Sequence, residues 1–130
     1  MKVEKLFFPI LFALLCNPVL AQEFDLEASI QRGNTIYSSS CASCHMMNGT
    51  GISGVYPSLA GADSLMNDIP EMLTWIVDGG EVNGVSHSFS LTDREVSDLL
   101  NYIRNSWGHE GEAILPEEVQ PALQESEEGD

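Results

Sequence analysis

Cys41-Ala42-Ser43-Cys44-His45 is the stretch on which the reading of this chain turns. Two thiols lie three positions apart, and an imidazole follows at once. Such a pair can close a plain disulfide in an oxidising compartment. It can serve as a thioredoxin-like redox couple, but no βαβ pattern surrounds it. It can form half of a zinc site, but no second cysteine pair or H-x-x-x-H follows. The same spacing, C-x-x-C-H, marks covalent attachment of a c-type haem. Two thiols so placed can each add to one of two vinyl groups on one porphyrin edge. The adjacent imidazole then binds the iron from the proximal side.

The beginning of the chain favours haem attachment, because c-type haem is attached after export. Lys2 and Lys5 form a short positive segment, and Leu6 to Leu15 is apolar apart from Pro9. Val19-Leu20-Ala21 supplies small or modest residues at the −3 and −1 positions of a signal-peptidase site. Residues 1–21 are therefore expected to be a cleaved signal peptide directing the protein to the periplasm, with no stable membrane insertion afterwards. An uncleaved anchor needs roughly 18–20 apolar residues, more than this run offers. A lipid anchor on Cys16 is disfavoured by the bulky Leu14-Leu15 before it.

The chain has 130 residues, 20 acidic and 5 basic, with a formal charge of −15. Without the leader, Arg32, Arg94 and Arg104 face 19 acids, and no lysine remains. That balance excludes general nucleic-acid binding, which needs cations for the phosphates. It equally disfavours docking on an anionic membrane. From His109 onward the sequence is Glu-rich, with Pro116 and Pro121 and no basic residue. Such a composition predicts an acidic, disordered or loosely attached tail over 109–130. The folded part is then residues 22–108, small enough that a staple or cofactor is expected to help hold it.

Helical spacing dominates that part. Leu26, Ile30, Gly33 and Tyr37 fall on one helix face. Gly33 costs about 1 kcal/mol relative to Ala in mid-helix, a cost that a close helix crossing explains. Val96, Leu99, Leu100, Ile103 and Trp107 form a second stripe. Thr92 and Glu95 form a capping box at its start, and Gly108 is placed to end it. A middle helix is predicted from about Pro70 to Val77, stopped by Gly79-Gly80. No stretch alternates with period two. The predicted fold is all-α, with three main helices and long loops, and the Gly-rich stretch from Met46 to Asp68 needs a haem surface to pack on.

These features together resemble the single-haem class I cytochromes c, over nearly all of Ile30 to Trp107. Gly33-Asn34-Thr35-Ile36-Tyr37 has the family's Gly-x-x-x-aromatic spacing. Tyr56-Pro57-Ser58-Leu59-Ala60-Gly61 is similar to its Pro-x-Leu-x-Gly stretch. Leu91-Thr92-Asp93 through Trp107-Gly108 is similar to its C-terminal helix. The resemblance implies one covalent haem c on Cys41 and Cys44, with His45 as proximal iron ligand. It also implies that the Pro57 carbonyl accepts a hydrogen bond from the second nitrogen of His45, orienting the ring. Leu59, Trp75 and Tyr102 are candidates for the pocket wall, with ordinary core packing as the competing reading.

The family usually supplies a distal Met from a loop just before the last helix. Here that loop, Gly84 to Leu91, contains no Met, and His87 falls at or within a residue of the family's position. The expected iron ligands are thus His45 and His87, with Met66 reaching in or an open distal site as the competing arrangements. Two imidazoles stabilise ferric iron and lower the potential relative to His/Met members. The expected function is one-electron transfer, as a soluble carrier or as a subunit of a larger oxidoreductase, to a redox partner with a basic docking surface. The alternatives are a haem-based sensor that binds small ligands, and a haem-free thiol redox protein using Cys41 and Cys44.

Overall fold

A computed structural model describes residues 23–128; the leader expected over 1–21 lies outside them. Helix α1 runs Leu26–Ser40, started by the Asp25 carboxylate, which accepts from the Ala28 amide at 3.0 Å. It buries Ser29, Gly33 and Tyr37 along one face. Helix α5, Asp93–Arg104, begins with the capping box of Thr92 and Glu95 foreseen in the sequence. The two cross at Gly33, where an added Cβ would collide with the Asp98 carbonyl and the Tyr102 Cβ. The mid-helix glycine is thus explained by how closely the backbones approach.

Helix α5 is buried on more than its apolar stripe. Val96, Leu99, Leu100 and Ile103 are in the core, but so are Ser97, Asp98, Asn101 and Arg104. Burying such groups is costly unless each finds a partner, and each does. The Asp98 carboxylate accepts from the Ser29 hydroxyl at 2.6 Å and from Arg32 at 2.7 and 2.8 Å. The other three reach toward residues beyond the helix. Asn101 donates to the Ile114 carbonyl at 2.9 Å and accepts from the Ile114 amide at 2.8 Å. Ser97 donates to the same carbonyl at 2.6 Å. Arg104 donates to the carbonyls of Met66 and Glu112 at 2.9 and 2.6 Å.

Those bonds correct the expected tail. Residues 109–115 are strapped along α5, and helix α6, Pro116–Glu128, follows. Val119 is fully buried, and Ala122 and Leu123 pack against the core. Average composition misled here because a few apolar residues among many acids suffice once distant polar side chains hold the strand of chain in place. A second correction concerns the end of α5. It stops at Arg104 with Asn105 as its cap, not at Gly108. The chain then turns through Trp107, whose φ is 54°.

Helix α4, Ile69–Asp78, is capped by Asp68, and Pro70 sits in its first turn as expected. Short helices α2, Ala42–His45, and α3, Asp63–Met66, complete the helical set. The all-α class holds, with one addition missed by the periodicity. Glu81–Val82 (β1) pairs antiparallel with Val85–Ser86 (β2). Asn83 and Gly84, with φ of 54° and 76°, make the two-residue turn. An Asn-Gly pair is the local signal for such a hairpin.

Candidate haem-binding site

The C-x-x-C-H segment is delivered by α1 and fixed by the loop after it. Cys41 caps α1, and α2 carries Cys44 and His45. Met46 then leaves the helix with φ 63°, a conformation that needs outside support. Its carbonyl supplies that support, accepting from the Tyr37 hydroxyl at 2.8 Å and the Gly49 amide at 3.0 Å. Trp107 covers Gly49 and donates its indole N–H to the Met47 carbonyl at 3.1 Å. Tyr37, Tyr102 and Trp107 form one aromatic cluster, with centroids 5.2 to 6.0 Å apart.

His45 is oriented by the following loop. Its Nδ1 lies 3.0 Å from the Pro57 carbonyl. The carbonyl can only accept, so Nδ1 carries the proton and Nε2 is left free to bind metal. Gly51 makes this possible. Its φ of 63° suits glycine, and a Cβ there would meet the Tyr56 and Pro57 carbonyls. Burial lowers the His45 pKa, against the Pro57 hydrogen bond, and proximity to His87 lowers it further. A neutral imidazole is the form that can coordinate a metal.

Beside His45 opens a cavity of about 420 Å³ with an almost wholly apolar wall. Of the pocket residues expected from sequence, Pro57, Leu59 and Trp75 line it. Tyr102 does not. Leu99 and Ile103 are the α5 residues that face the cavity, and Tyr102 turns instead toward Tyr37 and Trp107 at the α1 crossing. Met72 and Ile76 of α4, Val82 of the hairpin and Phe89 add wall that the sequence reading did not assign. The inward stripe of α4 was the available signal for the first two. Met66 is buried in the core but does not line the cavity, whereas Met72 does.

The two thiols are free and half-buried. Cys41 lines the cavity, and burial, reinforced by neighbouring Cys44, pushes its thiol up to about 11. The neighbouring Cys44 thiol pushes the Tyr56 phenol up in pKa. Across the cavity stands His87. Its ring centre is 6.0 Å from that of His45, and the planes are 88° apart. Its Nδ1 lies 2.7 Å from the Trp75 carbonyl, so it also offers a free Nε2. His109 lies apart from this cavity, its ring pairing with the Leu59 carbonyl at 3.1 Å and with Asp63 at 3.5 Å.

The residues fit a haem. Two metal–imidazole bonds of about 2 Å, each with about 1 Å from nitrogen to ring centre, require ring centres about 6 Å apart. The wall is apolar, and the Cys41 thiol and the His45 imidazole both line it. Comparison with known proteins agrees. Residues 30–107 match the family model for cytochrome c. Cytochrome c-552 of Thermus thermophilus is 39% identical over 90 residues, covering 58% of this chain and 68% of that protein. The cytochrome c subunit of a quinone-dependent alcohol dehydrogenase from Gluconobacter oxydans (strain 621H) is 32% identical over 88 residues, 59% of this chain. The cytochrome c subunit of gluconate 2-dehydrogenase from Pantoea cypripedii is 29% identical over 111 residues, 75% of this chain. The matched stretch covers only 18% and 25% of those two subunits.

The chain belongs to the cytochrome c family. It is an electron-transfer haem protein, and its cofactor is a covalently attached haem c. When bound, the haem supplies an iron that cycles between ferric and ferrous states. Among the described residues no helix is long and apolar enough to cross a membrane.

Proposed function

We propose that this chain is an exported, periplasmic single-haem cytochrome that carries one electron at a time with bis-histidine iron. Cys41 and Cys44 hold the porphyrin covalently, His45 is the proximal ligand and His87 the distal one. The observation that carries this reading is the facing of the two imidazoles across the apolar cavity, 6.0 Å apart. Each donates its Nδ1–H to a backbone carbonyl, which leaves Nε2 as donor to iron. Pro57, Leu59 and Trp75 exclude water from the ring. Imidazole in place of thioether stabilises the ferric state, so the potential lies below that of His/Met relatives.

The names of the two dehydrogenase subunits support a place as the electron-transfer unit of a larger oxidoreductase, with a soluble carrier as the other arrangement. The acidity of the chain supports a partner with a basic docking face. The test is an optical spectrum of the holoprotein and of His87→Ala. A six-coordinate low-spin spectrum without the weak far-red band of Fe–Met ligation, lost in His87→Ala and kept in Met72→Ala, supports the assignment. An unchanged spectrum in His87→Ala overturns it. A high-spin spectrum that shifts with carbon monoxide favours the ligand-binding sensor instead.

A further inference from the structure

His87 is held by more than its own loop. The residues that follow the hairpin turn back onto the C-terminal end of α4, pairing twice with its last turns and once with Gly80 just beyond it. The His87 amide donates to the Gly80 carbonyl at 2.6 Å, the Phe89 amide to the Ile76 carbonyl at 3.1 Å, and His87 Nδ1–H to the Trp75 carbonyl at 2.7 Å. Trp75 lies in the last turn of α4, the negative end of the helix dipole. A proton donated there is drawn away from the ring more strongly than to an isolated carbonyl. The ring's other nitrogen becomes the better electron donor.

Gly79 is what lets the ring approach. Its φ and ψ, −71° and 0°, are ordinary helical values, so no backbone requirement selects glycine. Space does. A Cβ at this position would run into the Trp75 carbonyl and stand 2.8 Å from both His87 Nδ1 and the His87 carbonyl. All three obstacles belong to the one hydrogen bond and the residue that makes it.

We infer that Gly79 and the Trp75 carbonyl form a socket that aims His87 into the cavity and sets its strength as an iron ligand, with Gly79 as the positioning residue. This rests on His87 being the distal ligand. Placing a methyl group at Gly79 pushes the imidazole off the Trp75 carbonyl, which weakens Nε2 as a donor and so disfavours ferric iron. The strength of the distal ligand is therefore a property of a helix end more than of the loop that carries the histidine.

The test uses haem-loaded full-length protein, with Gly79→Ala and His87→Ala read side by side. The expected result for Gly79→Ala is a midpoint potential shifted upward, with altered low-spin electron-paramagnetic-resonance g-values or partial conversion to high spin. His87→Ala should lose the low-spin signature entirely. If His87→Ala alters nothing, the ligand assignment fails and takes the socket with it. If His87→Ala loses the signature but Gly79→Ala keeps both wild-type potential and g-values, the socket alone is overturned. Should Gly79→Ala not fold, the wild-type protein still decides the matter by nuclear magnetic resonance in heavy water. Slow exchange of the His87 Nδ1 proton supports the socket, and exchange as fast as that of a solvent-exposed imidazole overturns it.

Discussion

Asp98 on α5 grips Arg32 on α1 with both carboxylate oxygens, Nε to Oδ2 at 2.7 Å and Nη2 to Oδ1 at 2.8 Å. The carboxylate side chain is 4% exposed and the guanidinium 40%. Removing the exposed partner leaves the buried charge with only the Ser29 hydroxyl. Arg32→Ala should therefore cost about 2–3 kcal/mol, less than the ~3–5 kcal/mol of a wholly buried pair. Arg32→Lys should recover only part, because an ammonium lacks the two-pronged geometry. Urea midpoints of the holoproteins measure both.

Gly33→Ala sets two effects against each other. Helix propensity favours Ala by about 1 kcal/mol. The new methyl meets the Asp98 carbonyl and the Tyr102 Cβ, neither of which can swing aside. Overpacking of this kind typically costs about 1–3 kcal/mol, and backbone is the less yielding obstacle. A net loss is expected, read as a lower melting temperature, together with an altered aromatic circular-dichroism signal from Tyr37 and Tyr102.

Asn101→Ala should release the C-terminal segment without unfolding the haem domain. The side chain satisfies both the amide and the carbonyl of Ile114. Its loss leaves the half-buried Ile114 amide without this partner, at a cost of about 1 kcal/mol. Limited proteolysis should then cut near residues 109–115 in the variant well before the wild type. Uniform resistance in both would show that α6 packing alone holds the segment.

The capping box gives a pH dependence with a definite sign. The Glu95 carboxylate accepts from the Thr92 amide and hydroxyl, both at 2.8 Å, which holds its pKa below the usual glutamate value. A lowered carboxyl contributes stability above its unfolded pKa, and that contribution is lost as pH falls through the folded one. Wild-type melting temperature should fall on acidification through and below the ordinary glutamate range. Glu95→Gln, which keeps an acceptor for Thr92, should show a shallower fall over the same interval.

Electron transfer should depend on salt in the direction its charge dictates. With a basic redox protein the second-order rate should drop as ionic strength rises, because screening weakens the steering. With an acidic partner it should rise. Stopped-flow rates across a salt series with one partner of each sign check this.

Much of the fold was legible because its signals are local. The faces of α1 and α5 follow from helical spacing, and Thr92 and Glu95 form a capping box read within four residues. Pro57, Leu59 and Trp75 line the cavity, whereas Tyr102 does not. Every residue on the α5 stripe reads as inward. Which of them meets α1 and which meets the cavity depends on the crossing angle, and no local spacing encodes that. The hairpin escaped because two-residue strands carry no period, although Asn83-Gly84 announced its turn.

The amino-acid sequence by itself determined the covalent chemistry, because thiol, thiol and imidazole must be adjacent on the chain to act on one porphyrin edge. It also determined the main helices, since their hydrogen bonds close within four residues. Only the tertiary structure decided that His87 turns inward, because that depends on the end of α4 catching the loop through Trp75, Ile76 and Gly80. It alone decided that the acidic segment is strapped down. The groups that hold it, Ser97, Asn101 and Arg104, lie 8 to 17 residues from their partners and present themselves as a row only once α5 is folded.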